Sequence, residues 1–133
     1  MIENPRTGEQ IEFELRTAEW LVMLSTWTRP GRRAVPHLHP EMEEHFSVLE
    51  GRAAFRIDGV ETTAGAGQTI VVPAGTPHVA WNPTDAPVRL RITMRPGLRW
   101  AEFTERLFAG EDAGALLHEF HREVKLVPPL GKR

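Results

Sequence analysis

The stretch GRRAVPHLHPEMEEHFSVLEG, residues 31–51, decides the fold of this chain together with its companion GQTIVVPAGTPHVAWN, residues 67–82. Their spacings are Gly31-x5-His37-x-His39-x4-Glu44-x6-Gly51 and Gly67-x5-Pro73-x-Gly75-x2-His78-x3-Asn82. Side chains alternate faces along a β-strand, so His37 and His39 project the same way with Leu38 between them pointing opposite. His78 brings a third imidazole from a turn built on Pro73, Gly75 and Pro77. A carboxylate follows Pro40, where the chain must bend out of a regular ladder, and Glu41, Glu43 and Glu44 are the candidates. Three neutral nitrogens and one anionic oxygen suit one divalent transition metal, Fe, Mn, Ni, Co or Zn, better than calcium or magnesium, which prefer oxygen shells.

Outward from these stretches the chain reads as a run of short strands. Ile11, Phe13 and Leu15 alternate with Glu12, Glu14 and Arg16, the pattern of a half-buried strand. Residues 20–28 are apolar on both parities, which predicts a strand covered on both faces. Ala53, Phe55 and Ile57 lead into Asp58-Gly59, a hairpin signal because both turn positions need positive φ. Val88, Leu90, Ile92 and Met94 alternate with polar residues. Gly/Pro turns between many short strands predict an all-β antiparallel sandwich or small barrel.

Pro96-Gly97 ends that pattern. Trp100, Phe103 and Leu107 then fall at helical spacing, as do Leu116, Leu117, Phe120 and Val124. The expected organisation is a barrel over residues 1–97 and a C-terminal helical extension over residues 98–133, packed on the barrel.

At 133 residues and a formal net charge of −2, the chain has room for one domain and no electrostatic footprint for nucleic acid or an anionic membrane. With no cysteine, disulfides and thiolate metal sites are excluded. No leader-like N-terminus or long apolar run is visible, so a cytoplasmic protein is expected.

Residue for residue, both stretches resemble the two motifs of the cupin family, including the four residues between His39 and the carboxylate. The resemblance covers residues 31–82 and implies a double-stranded β-helix, or jelly-roll barrel. It selects Glu44 over Glu41 and Glu43, giving the metal ligands His37, His39, Glu44 and His78, with Glu44 as the expected general base. His45 should face away from the site, and His118 and His121 are read as an exposed helix face. The pocket is expected to be apolar, lined by Phe46, Val48, Ala80 and one face each of strands 20–28 and 88–94, with Trp20 or Trp27 in reach. The absence of cysteine and tyrosine sets the chain apart from thiol dioxygenases of the superfamily. The expected function is a metal-dependent oxygenase, dioxygenase-like, acting on a small aromatic or enol-bearing molecule. A non-redox isomerase, cyclase or lyase, or a non-catalytic small-molecule-binding protein, is the alternative. A homodimer is expected, since jelly-roll cupins commonly pair through outer sheets.

Overall fold

The computed structural model describes residues 1–32 and 34–127. In chain order the strands are β1 (Ile2–Glu3), β2 (Gln10–Arg16), β3 (Leu21–Trp27), β4 (Gly31–Arg32), β5 (His37–Leu38), β6 (Glu43–Glu50), β7 (Arg52–Ile57), β8 (Val60–Gly65), β9 (Thr69–Val72), β10 (His78–Asn82) and β11 (Val88–Arg95). Helices α1 (Trp100–Phe108) and α2 (Ala113–Glu119) follow, and then β12 (Lys125–Leu126).

The strands form two antiparallel sheets that face each other, a double-stranded β-helix. One has the order β1-β2-β3-β11-β6-β9; the other runs β12-β5-β10-β7-β8, with β4 also paired to β10. Alternation places Leu21, Met23 and Trp27 of β3, Phe46 and Val48 of β6, and Leu90, Ile92 and Met94 of β11 in one buried cluster. That inner face is filled with side chains. The residues expected to line an apolar pocket are core here, Phe46 and Leu90 being wholly buried.

Asp58 and Gly59 both take positive φ, 50° and 81°, and close the β7–β8 hairpin as its sequence requires. Two strands depart from expectation. On β2, Ile11 is buried but Leu15 is 45% exposed, because the register with β3 shifts between Phe13 and Leu15 and turns the end of the strand outward. On β3, the face carrying Val22, Leu24 and Thr26 is only half buried, so the strand is not covered on both sides among the described residues. Trp20 precedes β3 and lies under the Arg95 guanidinium, 4.8 Å from the ring centroid, away from the interior.

The C-terminal helices have a small core of their own: Phe103, Leu116, Phe120 and Val124. α2 ends at Glu119, so Val124 is reached by a turn rather than by continued helix. Arg106 ties the pair together through Glu102, Glu111 and Glu119, and Arg99 through Glu102 and Glu119. The chain then returns to the barrel, where Lys125 and Leu126 pair with Leu38 and His37. Residues 128–133 of the expected extension lie outside the described part.

Candidate metal centre

Two strand starts and one strand end bring the candidate ligands together. β5 carries His37, whose partner across the ladder is His78, the first residue of β10. The turn at Pro73–Pro77 delivers His78, and the amide of Gly75 in that turn donates to the His39 carbonyl at 2.8 Å, tying the turn to the end of β5. Glu44 enters from β6, opposite Met94 of β11. One ligand nitrogen from each of His37, His39 and His78 lies within 4.8 Å of the others. All three imidazoles and Glu44 are buried.

The imidazoles are held in one tautomer by main-chain acceptors. The Nδ1 atoms of His37, His39 and His78 donate to the carbonyls of Val35, Glu123 and Thr76 at 2.7, 2.8 and 3.0 Å. A carbonyl only accepts, so each Nδ1 carries a hydrogen, and Nε2 is the atom through which each ring would offer a lone pair to a metal. Glu44 Oε1 lies 3.1 Å from both His39 Nε2 and His78 Nε2. Lone pairs facing a carboxylate at that distance repel unless a cation or proton lies among them. His39 Nε2 is moreover a buried polar atom with no hydrogen bond among the described residues. These observations fit a metal ion, which needs deprotonated nitrogens fixed from behind by hydrogen bonds.

Charge and burial agree with this arrangement. Burial, followed by the neighbouring His39 and His78, pushes the His37 imidazolium down to about 3, so the ring stays neutral. Burial would raise the Glu44 carboxyl, but His39 and His78, when they carry a proton on Nε2, outweigh it and hold the group well below the usual carboxylate range; a cation among the same atoms would act in the same sense.

The other sequence candidates lie outside the cluster. Glu41 is bound by Arg122 at 2.9 Å, and Glu43 is exposed and bonded to His45. His118 and His121 are exposed on and just after α2. Asn82, the last residue of the second motif, serves the fold rather than the cluster, since its Nδ2 donates to the Ala86 and Trp27 carbonyls and its Oδ1 accepts from Thr84.

Two contributors were not visible as site residues. Trp100, the first residue of α1, packs edge-on to His39 at 4.7 Å and parallel to His37 at 6.5 Å between ring centroids. Its spacing announced a helix stripe, and nothing in the sequence places that stripe over the histidines. Glu123 contributes through its carbonyl, which any residue possesses.

Fold and cluster together define a class, the small jelly-roll barrels that gather imidazoles and a carboxylate at one end and could hold a divalent metal. A family model described as Cupin domain matches residues 28–94, and the chain belongs to the cupin family. The polyketide synthase CurC of Streptomyces cyaneus is 34% identical over 68 residues, 51% of this chain and 44% of that protein. The uncharacterized protein MJ1618 of Methanocaldococcus jannaschii is 32% identical over 66 residues, 50% of this chain and 53% of that protein. The chain therefore spans about half the length of the curated relatives it matches. Among solved structures, KdgF from Halomonas sp. superposes with a TM-score of 0.62 at 17% identity, covering 71% of this chain and 86% of that one. A sugar phosphate isomerase from Silicibacter pomeroyi superposes with a TM-score of 0.59 at 24% identity, covering 66% and 59%. At such identities these likenesses establish the fold.

Proposed function

We propose that the chain is a mononuclear metal-dependent enzyme acting on a small aromatic or enol-bearing molecule, with His37, His39, His78 and Glu44 as the metal ligands. The observation that carries this reading is the set of three Nε2 lone pairs and one carboxylate turned toward a common point, with every Nδ1 already committed to a carbonyl. A bound divalent ion would supply Lewis acidity and, for a redox-active metal, a site for dioxygen. The protein's own part is to hold the imidazoles neutral, to keep water out with Trp100, and to offer Glu44 as the proton acceptor when a substrate hydroxyl or acidic C–H arrives.

Oxygenation is the first reading, because a neutral-imidazole shell with one carboxylate suits Fe(II). Proton transfer without oxidation, as in an isomerase or cyclase, is the second. Its motive is the polyketide synthase relative, whose match covers the motif region at 34% identity. One experiment separates them: the metal-loaded protein is given β-diketones, catechols and flavonols in D2O under a known oxygen concentration. Oxygen uptake supports the first reading; deuterium incorporation without uptake supports the second. Neither event across the panel removes the catalytic proposal and leaves a ligand-binding protein.

Two further expectations belong to this proposal. Residues 98–127 act as a cover over the ligands rather than as a separate unit, and the half-buried outer face of β3 pairs two copies of the chain. No helix among the described residues is long and apolar enough to cross a membrane.

A further inference from the structure

A second charged feature stands away from the histidines. A surface cavity of about 180 Å³ is lined by Arg6, Thr7, Glu9, Trp27, Arg29, Pro30, Gly31 and Arg32. Seven arginines elsewhere on the molecule, Arg16, Arg56, Arg89, Arg91, Arg99, Arg106 and Arg122, each pair with a glutamate, while Arg52 bonds the Thr63 hydroxyl and Arg95 lies over the Trp20 ring. Arg6, Arg29 and Arg32 make no ion pair among the described residues, yet all three border this one cavity.

The walls are built, not incidental. The 4–9 turn is closed by Gly8 N to the Asn4 carbonyl and Asn4 N to the Glu9 carbonyl, both 2.8 Å, and by Arg6 N to Asn4 Oδ1 at 2.9 Å. Gly8 takes φ of 78°, and a Cβ there would meet Thr28 Oγ1 at 2.5 Å and Arg29 Nε at 2.8 Å, so its lack of a side chain lets Arg29 cross the turn. Glu9 is the one acidic group in the lining, and it is turned inward: buried, with Oε2 accepting from Ser25 Oγ at 2.6 Å, which in turn accepts from Trp27 Nε1 at 3.0 Å. Three guanidinium groups and the Thr7 hydroxyl thus share the lining with one carboxylate that is already hydrogen-bonded.

We propose that this cavity is a binding site for a phosphate monoester, held by Arg6, Arg29 and Arg32. Guanidinium forks match phosphate oxygens in pairs, and their delocalised charge is desolvated at less cost than an ammonium. The volume equals roughly six water molecules at about 30 Å³ each, room for a phosphoryl group and a short attached chain. The site is distinct from the metal centre. Arg32 faces Trp81 across the β4–β10 ladder, three residues from His78, about 10 Å along the strand. No metal-cluster residue borders the cavity.

The test is a chemical-shift titration of the full-length, metal-loaded protein with inorganic phosphate, and separately with acetate, at constant ionic strength. Saturable shifts centred on the amides of Thr7, Gly31 and Arg32 are expected, with phosphate bound at least tenfold more tightly than acetate. The double variant Arg29→Ala/Arg32→Ala, both exposed residues, should weaken phosphate at least tenfold. Arg89→Ala/Arg91→Ala, which removes the same charge from β11, should not, and neither should His37→Ala. Unsaturable shifts, equal affinity for acetate, retained binding in the first double variant, or equal loss in the second would overturn the proposal.

Discussion

His39 Nδ1 donates to the main-chain carbonyl of Glu123 at 2.8 Å, across a separation of 84 residues. The same residue's carboxylate accepts from the Arg99 amide at 3.2 Å, at the start of α1, whose own N-cap side chain makes no capping bond. Trp100 follows directly and lies against His37 and His39. Glu123 therefore orients the His39 imidazole with its backbone and holds the start of α1 with its side chain. Glu123→Ala keeps that carbonyl but removes the side-chain anchor of α1, so it should lower metal affinity by up to about 10-fold, the lower end of the range for loss of a ligand's supporting hydrogen bond. Competition against a chromophoric chelator measures this, and an unchanged affinity would contradict the coupling.

The metal-free protein should lose stability on acidification. His37 has a depressed pKa, about 3, so the unfolded chain takes up its proton near pH 6.5 while the folded chain does not. Stability therefore falls as pH drops from about 6.5 to about 3, by at most about 1.4 kcal/mol per pH unit from this group. Glu44 acts in the same direction at lower pH: its depressed carboxyl stabilises the fold above the ordinary carboxylate pKa and ceases to as it protonates. Urea midpoints at pH 7, 6, 5 and 4 should decline steadily, and His37→Gln should flatten the upper part of the decline. A midpoint independent of pH would show that the ring is not buried neutral.

Asn82→Ala separates the motif's structural position from its ligands. Four hydrogen bonds that tie Asn82 to Trp27, Ala86 and Thr84 disappear from a buried position. We expect a loss of about 1–3 kcal/mol in unfolding free energy with metal content unchanged. Loss of the metal with full stability would reverse that assignment.

Phe120→Ala tests whether the helical cover depends on its own small core. Phe120 is fully buried, with the Arg99 and Arg106 guanidiniums 4.4 and 5.4 Å from its ring centroid. Removing the ring should cost about 3–5 kcal/mol if the cover unfolds with the barrel. A smaller global effect with selective loss of amide protection over residues 113–127 would show that the cover opens alone.

The grouping of His37, His39 and His78 was legible in the sequence because strand alternation and turn chemistry are local: His-x-His needs only a two-residue period, and Pro73-x-Gly75 needs only a turn. The inner face of the barrel was legible for the same reason. What lay beyond reach was tertiary. Lys125–Leu126 is too short to alternate, yet it joins β5 because the helices fold back and deliver it there. The exposure of Leu15 comes from a register shift with β3, and apolar residues on both parities of β3 did not reveal that one face stays half open. The apolar pocket expected around Phe46 and Val48 is packed core, since residues of the right parity fill the interior as readily as they line it.

Metal content is the most direct test of the central claim. Protein purified without chelator, then quantified by inductively coupled plasma mass spectrometry, should carry about one transition-metal ion per chain. His37→Ala/His39→Ala should carry none while keeping its β-sheet circular dichroism. A wild-type protein that stays metal-free after incubation with Fe(II), Mn(II), Co(II), Ni(II) and Zn(II), or a double variant that retains its metal, would contradict the account.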